Sequence, residues 1–244
     1  MGFIADGDLT PIIGKELYTF KENGILLPLE DLLSKKILEC YNCTDQPALS
    51  LSNAVKYLVH LKDVKSIDLI RKLKSIVKEI NLQFPVLEEF LGIDKLNYFI
   101  NTTVYNNVLD KNLGEQKKHP ANTINFSLNE PFSDSENLDK LTEPFIFNVF
   151  GSLLETVDPA LSEDDMLEFI GSFKEKMKDA TNIINALKNK NLLFIGCSFP
   201  DWIVRFLLRL LSNEPLTEWG TKRNIIVVND QSDLRKEQFE FLHN

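Results

Sequence analysis

The sequence predicts an α/β protein: a Rossmann-like, doubly wound and mainly parallel sheet of about six strands with a helical insertion. Three observations predict it. The stretch 191–211, NLLFIGCSFPDWIVRFLLRLL, reads as strand, tight turn and helix, because an unbroken apolar run reaches Gly196 and apolar residues then recur at helical spacing. A run without polar alternation suits a strand covered on both faces, as in a parallel sheet between two helical layers. Further short apolar runs at 9–14, 97–102, 123–129, 145–151 and 224–230 are interleaved with helical patterns, the order expected of βα units. The block 49–91 holds three helical patterns and no strand, so it reads as an insertion after the first βα unit.

Composition bounds the function. With 43% hydrophobic and 26% charged residues, the 244-residue chain has material for a substantial core and is expected to form one soluble domain. A formal net charge of -9 argues against a general electrostatic grip on nucleic acid or on an anionic membrane, since both need a basic surface. Three cysteines, a start reading MGFIADGD and no run long enough to cross a bilayer lead to the expectation of a cytoplasmic protein without a disulfide framework.

In chain order, LTPIIG at 9–14 is a first strand ending in glycine, followed by Lys15, Glu16, Leu17 and a turn at Asn23 and Gly24. Leu29, Leu32, Leu33 and Ile37 then share one helical face. Cys40 and Cys43 form a lone C-x-x-C without the second ligand pair that zinc needs, so they read as structural or idle thiols. Helices are expected over 51–61, 66–80 and 85–91. The second strand, 97–102, leads into a short helix through 108–110, and the polar stretch 111–122, with Gly114 and Pro120, reads as a loop. The alternating TINFSLN at 123–129 suits a strand near an edge, and the more apolar FIFNVFG at 145–151 suits an inner one. Ser162 followed by Glu163, Asp164 and Asp165 signals a helix start, with acids complementing the dipole, and that helix is expected to run to about 177. A further helix over 180–187 precedes the strand and helix of 191–211, and a last helix over 234–242 follows the sixth strand. That helix carries no stop signal, so the chain reads as a possible module of a longer one.

Three segments in this order, LTPIIG, FIFNVFGS and LLFIGCSFPDWIVRFLLR followed by NIIVVN, resemble the bacterial sirtuin-like domains of antiphage defence proteins. The similarity extends over nearly the whole chain, and GCSFPDW is its most specific part. The resemblance implies a Rossmann-type sheet with a helical insertion that binds NAD or ADP-ribose, without a metal, and that in active members cleaves the nicotinamide–ribose bond. It also implies a homo-oligomer working with an effector such as a Toll/interleukin-receptor domain. Carried over by position, the nucleotide-binding residues are Gly14, Gly196, Ser198 and Asn229. Glycine permits close approach, and Ser and Asn offer donors and acceptors to ribose hydroxyls.

The reactive side departs from the family pattern. Where the family reads TTNYD, this chain has Thr102, Thr103, Val104, Tyr105 and Asn106, and Phe150 stands where the catalytic histidine precedes Gly151. Phenylalanine accepts neither a proton nor a hydrogen bond. Lys15 and Glu16 replace small residues of the first turn; Lys15 offers a cation to a phosphate, whereas Glu16 repels one. The expectation is a catalytically degenerate module for nucleotide sensing, regulation or oligomerisation, with no catalytic residue. The alternative is an active NAD hydrolase that has moved its catalytic groups, for example to Asn101 or Asn148. A third reading leaves only an assembly role. His60, His119 and His243 fall at no expected strand end, and Trp202 and Trp219 suit core or oligomer contacts.

Overall fold

The structure is a computed structural model that describes residues 7–45, 49–132, 143–176, 182–183, 190–197 and 206, with backbone alone for Lys174 and 225–228. The first strand β1 (Leu9–Ile13) leads through a 3-10 turn (Lys15–Leu17) into a hairpin of β2 (Thr19–Glu22) and β3 (Ile25–Pro28). The helices α1 (Leu29–Cys40), α2 (Leu51–Leu61), α3 (Ser66–Glu79) and α4 (Pro85–Leu91) follow. The chain returns as β4 (Tyr98–Asn101), α5 (Asn106–Lys117), β5 (Asn122–Asn125) and β6 (Phe145–Asn148). The remaining described elements are α6 (Glu163–Lys176), β7 (Asn191–Ile195) and β8 (Ile225–Val228).

Six of these strands form one sheet in the order β5-β6-β4-β1-β7-β8, and every pairing within it is parallel. The doubly wound α/β expectation is therefore met. Both faces are covered, and the period of two along each strand decides which residue goes where. Leu9, Ile13, Phe99, Ile146 and Leu193 point into a core shared with α1 to α5. Their strand neighbours Ile12, Ile100, Phe145, Phe147, Leu192 and Phe194 point the other way, into a core with Phe169 and Phe173 of α6, Ile183 and Phe206. Each fully buried side chain of this size contributes about 1.5–3 kcal/mol of transfer free energy. β5 lies at one edge and is half-buried throughout, as its alternating sequence predicts, while its neighbour β6 is wholly buried.

Two elements depart from the expectation. The turn at Asn23 and Gly24 is present, with both residues left-handed at φ 52° and 83°, but it joins two antiparallel strands that apolar periodicity did not mark. Such a two-residue turn matches the twist of a hairpin. The stretch 111–122, read as a loop, is helical as far as Lys117. Val108, Leu109, Asn112 and Leu113 pack inward, and the Asn112 side chain donates to the Val108 carbonyl at 2.7 Å. Exposed Lys111, Glu115 and Gln116 gave that helix its loop-like composition, and left-handed Lys118 ends it. The expected helices over 180–187 and 201–211 lie outside the described residues except at 182–183 and 206, which are helical, and the one over 234–242 lies wholly outside them. No helix among the described residues is long and apolar enough to cross a membrane.

Candidate functional site

The strand order reverses at β1, because the chain builds outward on one side through β4 and later returns to the other side through β7. In open parallel sheets the crevice outside the carboxyl ends at such a reversal is the usual ligand site. Gly14 and Gly196 stand there, each just beyond its strand, and they meet. The Gly14 N–H donates to the Ile195 carbonyl at 2.9 Å, and the Glu16 N–H donates to the Gly196 carbonyl at 3.0 Å. A Cβ on Gly14 would overlap the Gly196 carbonyl group and lie 2.6 Å from the Cys197 Cα. Gly196 is left-handed at φ 64°, and a Cβ there would lie 2.8 Å from the Leu17 amide nitrogen. Both glycines are thus required by the contact between the two turns. The other two nucleotide-binding candidates, Ser198 and Asn229, lie outside the described residues, as do His243, Trp202 and Trp219.

Next to this contact the sheet ends in a ladder of amides. Asn101, Asn148 and Asn125 are the last residues of β4, β6 and β5, and the register sets Asn101 against Asn148 and Asn148 against Asn125. The Asn101 amide donates to the Asn148 oxygen at 2.7 Å, and the Asn148 amide donates to the Asn125 oxygen at 2.7 Å. The Asn125 amide donates to a Glu155 carboxylate oxygen, which ends the chain on a charge. At its other end the Asn101 oxygen accepts from the Tyr18 hydroxyl at 3.2 Å and from the Thr103 hydroxyl at 2.9 Å. Asn101 and Asn148 are fully buried, so these bonds replace the water that an unpartnered amide would need. Tyr18 is buried as well; burial pushes its phenol well above the usual tyrosine range, and its hydroxyl stays a donor.

A cleft of about 190 Å³ opens at the same edge, between the sheet and the first turns of α2 and α6. Thr102, Thr103, Val104 and Tyr105 form its floor, and Lys15, Glu30, Ser50 and Glu163 supply most of its remaining polarity. The hydroxyl of Thr102 donates to the Ile13 carbonyl at 2.8 Å, and that of Thr103 is held by Asn101. Both protons are thus committed, and the Thr103 oxygen also accepts from the Tyr105 N–H at 3.3 Å, so what each hydroxyl can still offer is a lone pair. Lys15 and Glu30 form an ion pair of 2.6 Å. Tyr105 is buried, and desolvation, assisted by the Glu30 charge, raises its pKa well above the usual range.

Two helix starts flank the cleft. Ser50 caps α2 by accepting from the Asn53 N–H at 3.3 Å. At α6, Ser162 accepts from the Asp165 N–H at 3.2 Å while Asp165 accepts from the Ser162 N–H at 2.8 Å, a reciprocal capping box. Asp164 pairs with Lys56 of α2 at 3.1 Å and so joins the two helices. The adjacent carboxylates thus have separate structural partners.

Phe150 and Asn106, two of the positions read above as departures from the pattern of the resemblance, are integrated into the packing. Phe150 is fully buried, and its ring meets Phe169 of α6 edge-on at 6.2 Å, within a cluster that includes Phe126 stacked on Phe173 at 4.1 Å. Asn106 is fully buried and accepts from the Ser152 hydroxyl at 2.6 Å, tying the start of α5 to the turn after β6. That turn passes through Gly151 at φ 77° and is closed by the Thr156 hydroxyl, which accepts from the Ser152 N–H at 3.0 Å. One turn along α5, burial raises the Asp110 carboxyl to about 6, with the Glu155 charge adding to the rise and hydrogen bonds from Thr123 and Asn106 opposing it.

His60 and His119 are exposed on the surface. Of the C-x-x-C pair, Cys40 is exposed and Cys43 is buried, with its thiol 3.3 Å from the Tyr41 carbonyl. No group of three or more His, Cys, Asp or Glu side chains among the described residues could hold a metal ion. The amide ladder escaped sequence reading because three asparagines far apart in the chain become neighbours only through strand order. The signal that was available is only that each expected strand at 97–102, 123–129 and 145–151 carries an asparagine among its apolar residues, Asn101, Asn125 and Asn148 in turn.

Comparison with known proteins places this architecture. A family model described as SIR2-like domain matches residues 99–243, from β4 onward. The match takes in Gly196, Ser198 and Asn229, and leaves β1, Gly14 and the helical insertion outside. The resemblance read from the sequence extended over nearly the whole chain, so its first part rests on residues and fold alone. A search of curated proteins finds no match.

Proposed function

The chain belongs to the SIR2-like domain family, and from that premise we propose that it is a catalytically degenerate member. In this reading it binds NAD or ADP-ribose at the carboxyl edge of its sheet, without cleaving the nicotinamide–ribose bond, and serves as a sensing, regulatory or oligomerisation module of a bacterial antiphage defence protein. The family implies an NAD-related role. The observation that carries the finer reading is the pairing of a hydroxyl-lined cleft with a missing base. Thr102 and Thr103 line the cleft, while the position expected for the base is Phe150, buried against Phe169.

The residues present suit a ribose better than a reacting bond. Acceptor lone pairs on Thr102 and Thr103 complement sugar hydroxyls. Of the cleft's titratable groups, Tyr105 holds its proton tightly through burial and Glu30 is committed to Lys15, while Glu163 is an exposed carboxylate at the start of α6. The buried ladder also argues against a catalytic group relocated to Asn101 or Asn148, since both amides are engaged with each other.

The test is calorimetric titration of the full chain with NAD and ADP-ribose beside an assay of nicotinamide release. Binding without release above the no-enzyme rate is the expected result. Release well above that rate, and abolished by Ser198→Ala, overturns the degenerate reading. The homo-oligomer and the Toll/interleukin-receptor effector belong to the same proposal, through the resemblance alone.

A further inference from the structure

A dinucleotide is too large for the cleft described above, whose 190 Å³ falls below the roughly 300–1,000 Å³ of ordinary ligand sites. A second cleft of about 590 Å³ lies beside it along α1, lined by Ser34, Lys35, Leu38 and Glu39. Lys15, Glu30 and Ser50 line both clefts. The Lys15–Glu30 ion pair therefore stands at the boundary between two cavities, one with hydroxyls suited to a sugar and one with room for a larger group.

We propose that this ion pair is a latch across a divided dinucleotide groove, opened when the diphosphate of the ligand takes the place of the Glu30 carboxylate on Lys15. The inference rests on the nucleotide reading above and names how that site is regulated. The exchange is physically reasonable on three counts. Lys15 is the side chain free to move, since it is 44% exposed while Glu30 is 14% exposed. Glu30 sits in the first turn of α1, where the helix dipole stabilises its charge after Lys15 departs. A diphosphate presents more charge and more acceptors than one carboxylate, so a lysine ammonium gains by the exchange.

Glu30 and Lys15 have opposite roles in this mechanism although they share one bond, and that supplies the test. The full chain is titrated with ADP-ribose as wild type and as Glu30→Gln, Lys15→Ala and Lys15→Arg. Removing the competing carboxylate is expected to tighten binding about three- to tenfold, and removing the cation to weaken it about tenfold or more, with arginine restoring most of the affinity. An ion pair with only a structural role would shift binding in the same direction when either partner is removed. Same-direction shifts, or a wild-type affinity that none of the variants changes, overturn the latch and leave the nucleotide reading standing. No binding of ADP-ribose or NAD by wild type or by Glu30→Gln overturns the nucleotide reading and the latch with it.

Discussion

Gly14 shows how one residue's requirement passes through its neighbours. Its backbone is extended, at φ -104°, so no left-handed conformation demands glycine there. What demands it is the Gly196–Cys197 backbone, which occupies the volume of a Cβ and cannot yield as the tip of a flexible side chain would. Gly14→Ala is expected to destabilise the fold by about 2–3 kcal/mol, through overpacking of two strand ends against each other. Gly171→Ala is the contrasting case, because that exposed position of α6 has nothing within 4 Å of an added Cβ; it should gain roughly 0.5–1 kcal/mol of helix propensity. Urea denaturation of both variants checks the pair, and a neutral Gly14→Ala would show that the turn contact is not required. The sequence marks Gly14 as a glycine that lets something approach. It does not say what approaches, since Gly196 becomes its neighbour only when β7 pairs with β1.

Among the elements, the carboxyl ends of β4, β6 and β5 are coupled by amides instead of by apolar packing. Asn148 is the middle rung: its oxygen serves Asn101 and its amide serves Asn125. Asn148→Ala leaves a buried donor on one side and an acceptor on the other, each costing about 1–3 kcal/mol when unsatisfied. The expected loss is about 2–4 kcal/mol in denaturant unfolding, with a smaller loss for Asn125→Ala at the half-buried edge. An Asn148→Ala variant of unchanged stability would remove the structural account of the ladder and reopen the relocated-catalyst alternative. Element existence was largely legible in the chain, because the strands at the centre of the sheet are continuous apolar runs and the helices at 51–61 and 85–91 show their periods plainly. The hairpin was not: β2 and β3 leave Ile25 and Leu26 exposed at 64% and 48% and bury Phe20 alone, and one inward side chain gives no alternation to read. Nor was the second half of α5, whose exposed face is polar enough to pass for a loop. Within the candidate site, the sequence marks Gly14 and Gly196 as places of close approach, and the structure shows those two turns packed against each other. The ladder and the Lys15–Glu30 pair were illegible, because they depend on register and on the hairpin that brings the start of α1 back beside the turn after β1.

Over the whole molecule, the question is whether the helical insertion melts with the sheet or apart from it. The answer follows from which core each residue enters. Leu58 of α2, Leu73 of α3 and Leu87 of α4 are fully buried in the same apolar cluster as Ile13 of β1, Phe99 of β4 and Ile146 of β6. Polar ties reinforce that continuity, since Lys74 of α3 donates to the Thr156 carbonyl in the turn after β6 at 3.0 Å, and Lys56 of α2 meets Asp164 of α6. Opening the insertion alone would expose the helix-facing side of the sheet, at about 25 cal/mol per Å² of apolar surface, which is a cost comparable to global unfolding. The insertion and the sheet should therefore unfold as one unit. Hydrogen exchange under native conditions reads this directly: peptides covering 51–61 and 66–79 should exchange with the same opening free energy as those covering 9–13 and 98–101, and the same denaturant dependence. Lys74→Ala should lower that energy by about 1 kcal/mol or less for all four segments together. Faster exchange of the two helical segments alone, with β1 and β4 unchanged, would mean that the chain holds two independently folding units, and the single-domain reading would fail.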